Sequence, residues 1–240
     1  MESLIIISKI QFGYLVDAYK WCQHLRNAYD ITFVCFDTLN EKIELDGIKV
    51  RYVSYAGPKV LRAFRYIVTC LFTLLFTKGK VLIVYFEKCQ ILKFCFPFRK
   101  MLLDIRTAAV VGTEQEREHF NADIKASAIL FNQVSVISED VGNLLGLDSR
   151  NLHVLPLGSD VISDTPKSYQ TIRLLYVGTL HGRHIDKTIL GLSIFVKQYP
   201  DVDIKYDIVG DGSELELLTD LVYKEKVQRY VTLHGRIPHN

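Results

Sequence analysis

The chain has 240 residues, and 29 lysines and arginines against 27 aspartates and glutamates leave a formal charge of +2. That balance excludes a dedicated nucleic-acid binder, which concentrates positive charge on one surface. With 49% hydrophobic and 23% charged residues the chain is not intrinsically disordered, and its length suits one to two domains of roughly 150 residues each.

The opening MESLIIISK has too short an apolar run and too little preceding charge for a signal peptide. It reads as a first strand, residues 4–7. Gly13 follows in SKIQFGYLVDAYKW. A turn into a helix there would aim backbone N–H groups at an anion or a sugar, although most strand-to-helix turns carry glycine for steric reasons alone, and that is the better account of Gly13 taken by itself. Residues 14–27 are predicted helical, with Leu15, Ala18, Cys22 and Leu25 on one face and Asp17, Lys20, Gln23 and Arg26 on the other. Further apolar runs at 31–36, 50–53, 81–86, 101–105, 134–137 and 152–156 are apolar on successive residues, the mark of strands buried on both faces of a parallel sheet.

Between these strands, residues 58–76 carry an apolar stripe of Val60, Phe64, Ile67, Val68, Leu71, Leu74 and Leu75, with Lys59, Arg62 and Arg65 gathered at the amino end. A core helix with a solvated first turn fits, and so does an interfacial helix drawn to anionic lipid. KCQILKFCFPFRK, residues 88–100, repeats the basic and aromatic mixture. The longest uncharged run of this region, residues 66–77, falls short of the roughly 20 apolar residues that span a bilayer, so no transmembrane helix is expected. Asp104 and Arg106, in LLDIRT, stand at a strand's end, where a site role competes with a structural ion pair or helix cap. EQEREHF, residues 114–120, is not HExxH and reads as a charged helix face. Five cysteines without a CxxC pair, all in apolar segments, are expected to be reduced, buried thiols of a cytosolic protein.

Residues 159–170 are polar, contain Pro166 and read as a linker between domains at 1–160 and 171–240. The pattern then restarts: strand 172–177, helix 188–198, strand 203–209, helix 214–224 and strand 231–233, the front half of a mononucleotide-binding fold. Strands beyond the third would normally follow, so the second domain is expected to be incomplete. In LLYVGTLHGRHIDK, Gly178 ends a strand and His181, Arg183, His184 and Lys187 share the next loop. Ligands of open α/β sheets sit at carboxyl ends of strands, and a guanidinium there forks onto phosphate oxygens, which makes Arg183 the leading candidate of this loop, while spacing alone supports a solvated loop arginine equally well. His181 and His184 lack a third ligand at metal spacing and read as polar loop residues. In YDIVGDGSELELL, Gly210, Asp211 and Gly212 turn into a helix, with Ser213 the expected N-cap and Glu216 closing a capping box. Small residues at 210 and 212 would let a planar ligand lie on the turn. VTLHGRIPHN puts Gly235, Arg236, Pro238 and His239 in the corresponding place. Walker A, GxSxG and GxGxxG sequences are absent.

VGTLHGRHIDK, IVGDGSELELL and VTLHGRIPHN, in this order and preceded by VISEDVGNLLGL and LHVLPLGSD, resemble the GT-B glycosyltransferases, in particular the large retaining family 4. The resemblance implies an α/β protein of two Rossmann-like domains, the second incomplete. It implies a transferase that passes a sugar from a nucleotide-sugar donor to a glycan or lipid-linked acceptor, with retention and without a metal ion or other cofactor. A cytoplasmic place in cell-envelope polysaccharide synthesis belongs to the same expectation; the charge balance argues against nucleic-acid partners, and segments 58–76 and 88–100 leave peripheral contact with the inner face of the membrane open beside the core-helix reading. Donor-binding residues by resemblance are Gly13, Gly178, Thr179, Arg183, Gly210, Asp211, Gly212, Gly235 and His239. Asp104 and Arg106 are the catalytic candidates, because LLDIRT is similar to the family's DIRD-like segment; with Gly13 they would border the acceptor. Thr179 stands where many members have arginine, Arg183 falls where many have lysine, and no two glutamates are eight positions apart as the family's sugar-gripping pair is. These departures imply little or no turnover by this chain alone. They keep open a noncatalytic sugar-nucleotide-binding or partner subunit, and an epimerase of GT-B type.

Overall fold

Seven of the apolar runs assemble into one parallel sheet. In the computed structural model, which describes residues 1–109, 112–158, 166 and 171–237, these are β1 (Glu2–Ile7), β2 (Tyr29–Asp37), β3 (Ile48–Ser54), β4 (Lys80–Val84), β5 (Leu102–Ile105), β6 (Gln133–Val136) and β7 (Leu152–Val154). Their order is β3-β2-β1-β4-β5-β6-β7. The chain works outward to β3 and returns through a long helix to the other side of β1, which puts the topological switch point between β1 and β4. The chain divides into two units, Met1–Asp160 and Val161–Asn240; apart from Pro166, the linker expected at 159–170 lies outside the described residues.

Helices α1 (Val16–Leu25), α2 (Lys59–Phe76), α3 (Gln90–Cys95), α4 (Glu114–Ala128) and α5 (Glu139–Leu144) accompany this sheet. The reason for apolar residues in succession is visible in β1. Leu4 and Ile6 join Phe12, Phe33 and the α1 residues Ala18 and Cys22, while Ile5 and Ile7 join Tyr66, Cys70 and Leu74 of α2 and Ile124 of α4. Both faces of the strand are covered, so an alternating pattern would leave polar groups buried. Helix α4 is entered through a complete capping box: Thr113 Oγ1 accepts from the Glu116 amide at 3.3 Å and Glu116 Oε2 accepts from the Thr113 amide at 2.8 Å. Burial pushes the thiols of Cys22, Cys35 and Cys70 up to about 12 and that of Cys89 to about 11. Cys95 corrects the expectation of uniform burial, because it ends the short α3 on its outer side and is exposed. No helix among the described residues is long and apolar enough to cross a membrane.

The second unit contains β8 (Ile172–Val177), α6 (Ile185–Gln198), β9 (Ile204–Val209), α7 (Leu215–Lys224) and β10 (Val231–Gly235), parallel in the order β10-β9-β8. Ile189 and Leu192 of α6, Tyr206 and Ile208 of β9, and Leu218 and Val222 of α7 form its core. Helix α6 begins three residues ahead of the expected 188. His184 takes a left-handed conformation, φ 54°, and the next residue, Ile185, is already buried; the polar HGRHIDK segment hides this first turn.

Candidate functional site

In the first unit the carboxyl ends of β1, β2 and β3 open onto a hollow of about 390 Å³. Lys9 and Gln11 line it after β1, Thr38 after β2, Tyr55 after β3, and Lys59 and Arg62 from the start of α2; no carboxylate is among its lining residues. Gln11 holds the hollow's rim. Its Oε1 accepts from the Thr38 amide and hydroxyl, both at 2.8 Å, and its Nε2 donates to the carbonyls of Asn40 at 2.9 Å and Glu41 at 3.3 Å. Every hydrogen-bonding site of that buried amide is engaged in clamping the loop after β2. Lys9 lies 4.9 Å over the Phe86 ring, and partial burial lowers its pKa against an opposing pull from Glu87. The Arg62 guanidinium stacks 4.0 Å over Tyr55.

Gly13 sits beside this rim in a turn at φ +89°, ahead of the helix rather than opening it. A Cβ there would lie 2.4 Å from Ile43 Cδ1, so the clamped loop itself accounts for the glycine.

Asp104 and Arg106 come together as expected, but inside the protein. Asp104 is 0% exposed; its Oδ1 accepts from Ser135 Oγ at 2.7 Å and lies 3.6 Å from Arg106. Burial raises its pKa, opposed by the Ser135 hydrogen bond and the Arg106 charge. Arg106 also pairs with Asp17 of α1 at 3.0 Å, donates to the Leu155 carbonyl at 3.3 Å and lies 5.4 Å over Trp21. The arrangement ties β5 and the chain after β7 to α1. A larger hollow of about 840 Å³ opens at the amino ends of β1, β4 and β5, lined by Leu4, Leu82, Met101 and Leu102. Glu2, Lys80, Arg99 and Lys100 share its lining, and it lies at the edge opposite to where parallel sheets gather ligand chemistry.

In the second unit, three strand ends are laced together by backbone. The Gly178 amide donates to the Val209 carbonyl at 3.0 Å, that of Leu180 to Asp211 at 3.0 Å, and that of Gly210 to Gly235 at 2.9 Å. Gly210 and Gly212 are therefore required by the chain itself. A Cβ on Gly210 would lie 1.8 Å from the Gly178 carbonyl oxygen, and one on Gly212 would be 3.0 Å from Leu180 backbone. Tyr176 tucks under the first loop, donating to the Thr179 carbonyl at 2.6 Å.

The capping box expected from Ser213 and Glu216 does not form. Helix α7 starts at Leu215 without a side-chain cap. Asp211 Oδ1 accepts from the Gly212 amide at 2.8 Å, ahead of the helix, and Ser213 and Glu214 reach the neighbouring loop. Ser213 Oγ lies 3.0 Å from His181 Nδ1, and Glu214 Oε1 accepts from the Gly182 amide at 2.7 Å. Arg183, on that same loop, is exposed and makes no hydrogen bond or ion pair among the described residues. Gly178, Thr179, Gly210, Asp211, Gly212 and Gly235 thus share one edge with Arg183 on an adjoining loop, and His239 lies outside the described residues. Among those residues no three His, Cys, Asp or Glu side chains are grouped to hold a metal ion.

Sequence reasoning passed over Lys9, Gln11, Tyr176 and Glu214. A lone glutamine within the apolar run after β1 was the available signal for Gln11; nothing local marked the others.

No family model and no curated protein matches the chain. Solved structures do. The lipopolysaccharide outer core galactosyltransferase WaaB superposes with a TM-score of 0.61 at 15% identity, covering 99% of this chain and 68% of that one. HepE from Anabaena, solved with UDP and glucose, gives 0.67 at 14% identity, with 99% and 70% covered. WaaG, a glycosyltransferase involved in lipopolysaccharide biosynthesis, gives 0.63 at 12% identity, with 98% and 70% covered. Likeness at this identity speaks for architecture, and it agrees with the two parallel sheets and their strand order: the chain has the GT-B fold of these glycosyltransferases.

Proposed function

We propose that the chain is a glycosyltransferase subunit whose second unit holds the diphosphate of a nucleotide-sugar donor and whose first unit receives the acceptor. The observation that carries this reading is Arg183, an exposed guanidinium without a protein partner among the described residues, at the carboxyl edge of a Rossmann-like sheet. The amides of Gly178, Leu180, Gly182, Gly210 and Gly212 are already bonded within the chain. Phosphate charge therefore falls to the guanidinium, which can engage two oxygens at once. Thr179, Asp211, Gly235 and His239 complete the proposed donor side.

On the acceptor side, the hollow bounded by Lys9, Lys59 and Arg62 suits an anionic group on a glycan or lipid-linked acceptor. Gly13 contributes by seating the loop that forms its rim. In this reading Asp104 and Arg106 position the edge of the sheet, because Asp104 Oδ1 pairs with the Arg106 guanidinium, which also reaches Asp17. Retention of configuration, charge neutralisation by Arg183 without a metal cofactor, and cell-envelope work at the cytoplasmic face belong to the same proposal. The cell-envelope part draws support from the likeness to two proteins of lipopolysaccharide synthesis.

Product analysis with UDP- and GDP-sugars tests it. Sugar transfer to an added acceptor supports the proposal. Binding without turnover favours a partner subunit completed by another chain, an isomerised donor without acceptor favours an epimerase, and the absence of both binding and turnover overturns all three.

A further inference from the structure

Helix α2 is apolar on nearly its whole circumference. Its inner face sends Tyr66, Cys70 and Leu74 into the core, while Val60, Phe64, Phe72, Leu75 and Phe76, at helical spacings of three and four, remain exposed on the other side. A helix of this kind is normally enclosed. The exposed stripe continues onto Phe94 of α3 and onto Phe98, which is 99% exposed. Phe98 is presented by a built turn. Lys93 Nζ donates to the carbonyls of Pro97 at 2.7 Å and Arg99 at 2.8 Å and to Asn132 Oδ1 at 2.7 Å. The Arg99 guanidinium in turn bonds the carbonyls of Leu74, Thr77 and Gly79 at the carboxyl end of α2, where Phe72 and Phe76 stack at 6.0 Å.

Charge selects the occupant. Between Asp46 and Asp104 the chain has eleven lysines and arginines and a single acid, Glu87. This stretch therefore carries a balance of +10 within a chain whose total is +2, leaving the remainder at −8. Lys93 and Arg99 are spent inside the turn, whereas Lys59, Lys78, Lys88 and Lys100 are exposed around the stripe. Two copies of this face would oppose like charges. An anionic bilayer supplies both the opposite charge and an apolar layer.

We propose that α2, α3 and the Phe98 turn form a docking face for the surface of an anionic lipid bilayer, on which the helix lies without crossing. This inference stands apart from sugar transfer. Should that reading also hold, the hollow at Lys9, Lys59 and Arg62 opens at the amino end of the same helix, beside the lipid headgroups.

Vesicle flotation of the full chain tests it, with phosphatidylcholine alone and with phosphatidylglycerol added. Binding is expected only to the anionic vesicles, weakening as salt is raised. Phe72→Ser with Phe98→Ser should weaken it at least about tenfold, as should Lys78→Glu with Lys100→Glu, with far-ultraviolet dichroism and melting unchanged. Phe98→Trp should add blue-shifted emission that brominated lipid quenches. Equal binding to neutral vesicles, no binding to anionic ones, or a dimer that Phe98→Ser dissolves without any lipid association would overturn the proposal.

Discussion

Strands β1 and β8 open the two units with comparable apolar runs and meet different surroundings. β1 lies between β2 and β4 with helices on both faces, and Ile5, Ile6 and Ile7 are 0% exposed. Among the described residues β8 pairs with β9 alone, and Leu175 and Val177 are 69% and 68% exposed. An apolar run states what a strand tolerates, and its neighbours decide whether it is covered. The functional edges differ as well. In the first unit, side chains set the edge: the Gln11 amide clamps one loop and the Arg106 guanidinium ties three segments. In the second, backbone meets backbone at glycines. Side-chain changes should therefore disturb the first edge, and an added methyl group the second.

The largest expected effect is that of Gly210→Ala. The added Cβ would overlap the Gly178 carbonyl, and accommodating it should cost the second unit about 3 kcal/mol, measured by urea denaturation. An unchanged midpoint would show that the strand ends part easily. Gln11→Ala should cost the first unit about 2 kcal/mol by removing four hydrogen bonds around a buried amide, with faster hydrogen exchange confined to residues 38–47. Asp104→Asn acts through pH. Because burial raises the carboxyl pKa above its ordinary value of 3.8, the folded state binds the extra proton. Its stability therefore falls as pH rises from that value through the folded pKa. The variant should lack this fall when paired urea titrations are compared. Smallest is Gly191→Ala, in the middle of α6 with nothing within 4 Å. It should stabilise the second unit by about 0.5–1 kcal/mol, opposite in sign to Gly210→Ala.

Strand positions and a parallel α/β sheet were legible because burial on both faces leaves unbroken apolar runs, and the glycines at 178, 210 and 212 marked strand ends; the order of the strands came from the structure. What those glycines touch was not legible. They serve a backbone contact between loops, which sequence spacing does not encode. Gln11 finds its partners 27 to 30 residues away, beyond any local pattern. Ser213 matched a capping box in spelling, yet the helix begins only at Leu215 and Ser213 turns to His181. Lys93 resembled a surface cation, and only the folded turn reveals three acceptors around its ammonium group.

The most direct test of a donor site on the second unit is calorimetric titration of the chain and of Arg183→Ala with UDP- and GDP-sugars. Since Arg183 is exposed and makes no hydrogen bond or ion pair among the described residues, the variant should melt as the parent does. Saturable binding by the parent, weakened at least about tenfold in the variant, is the predicted result. No binding by the parent, or equal binding by both, would contradict the account.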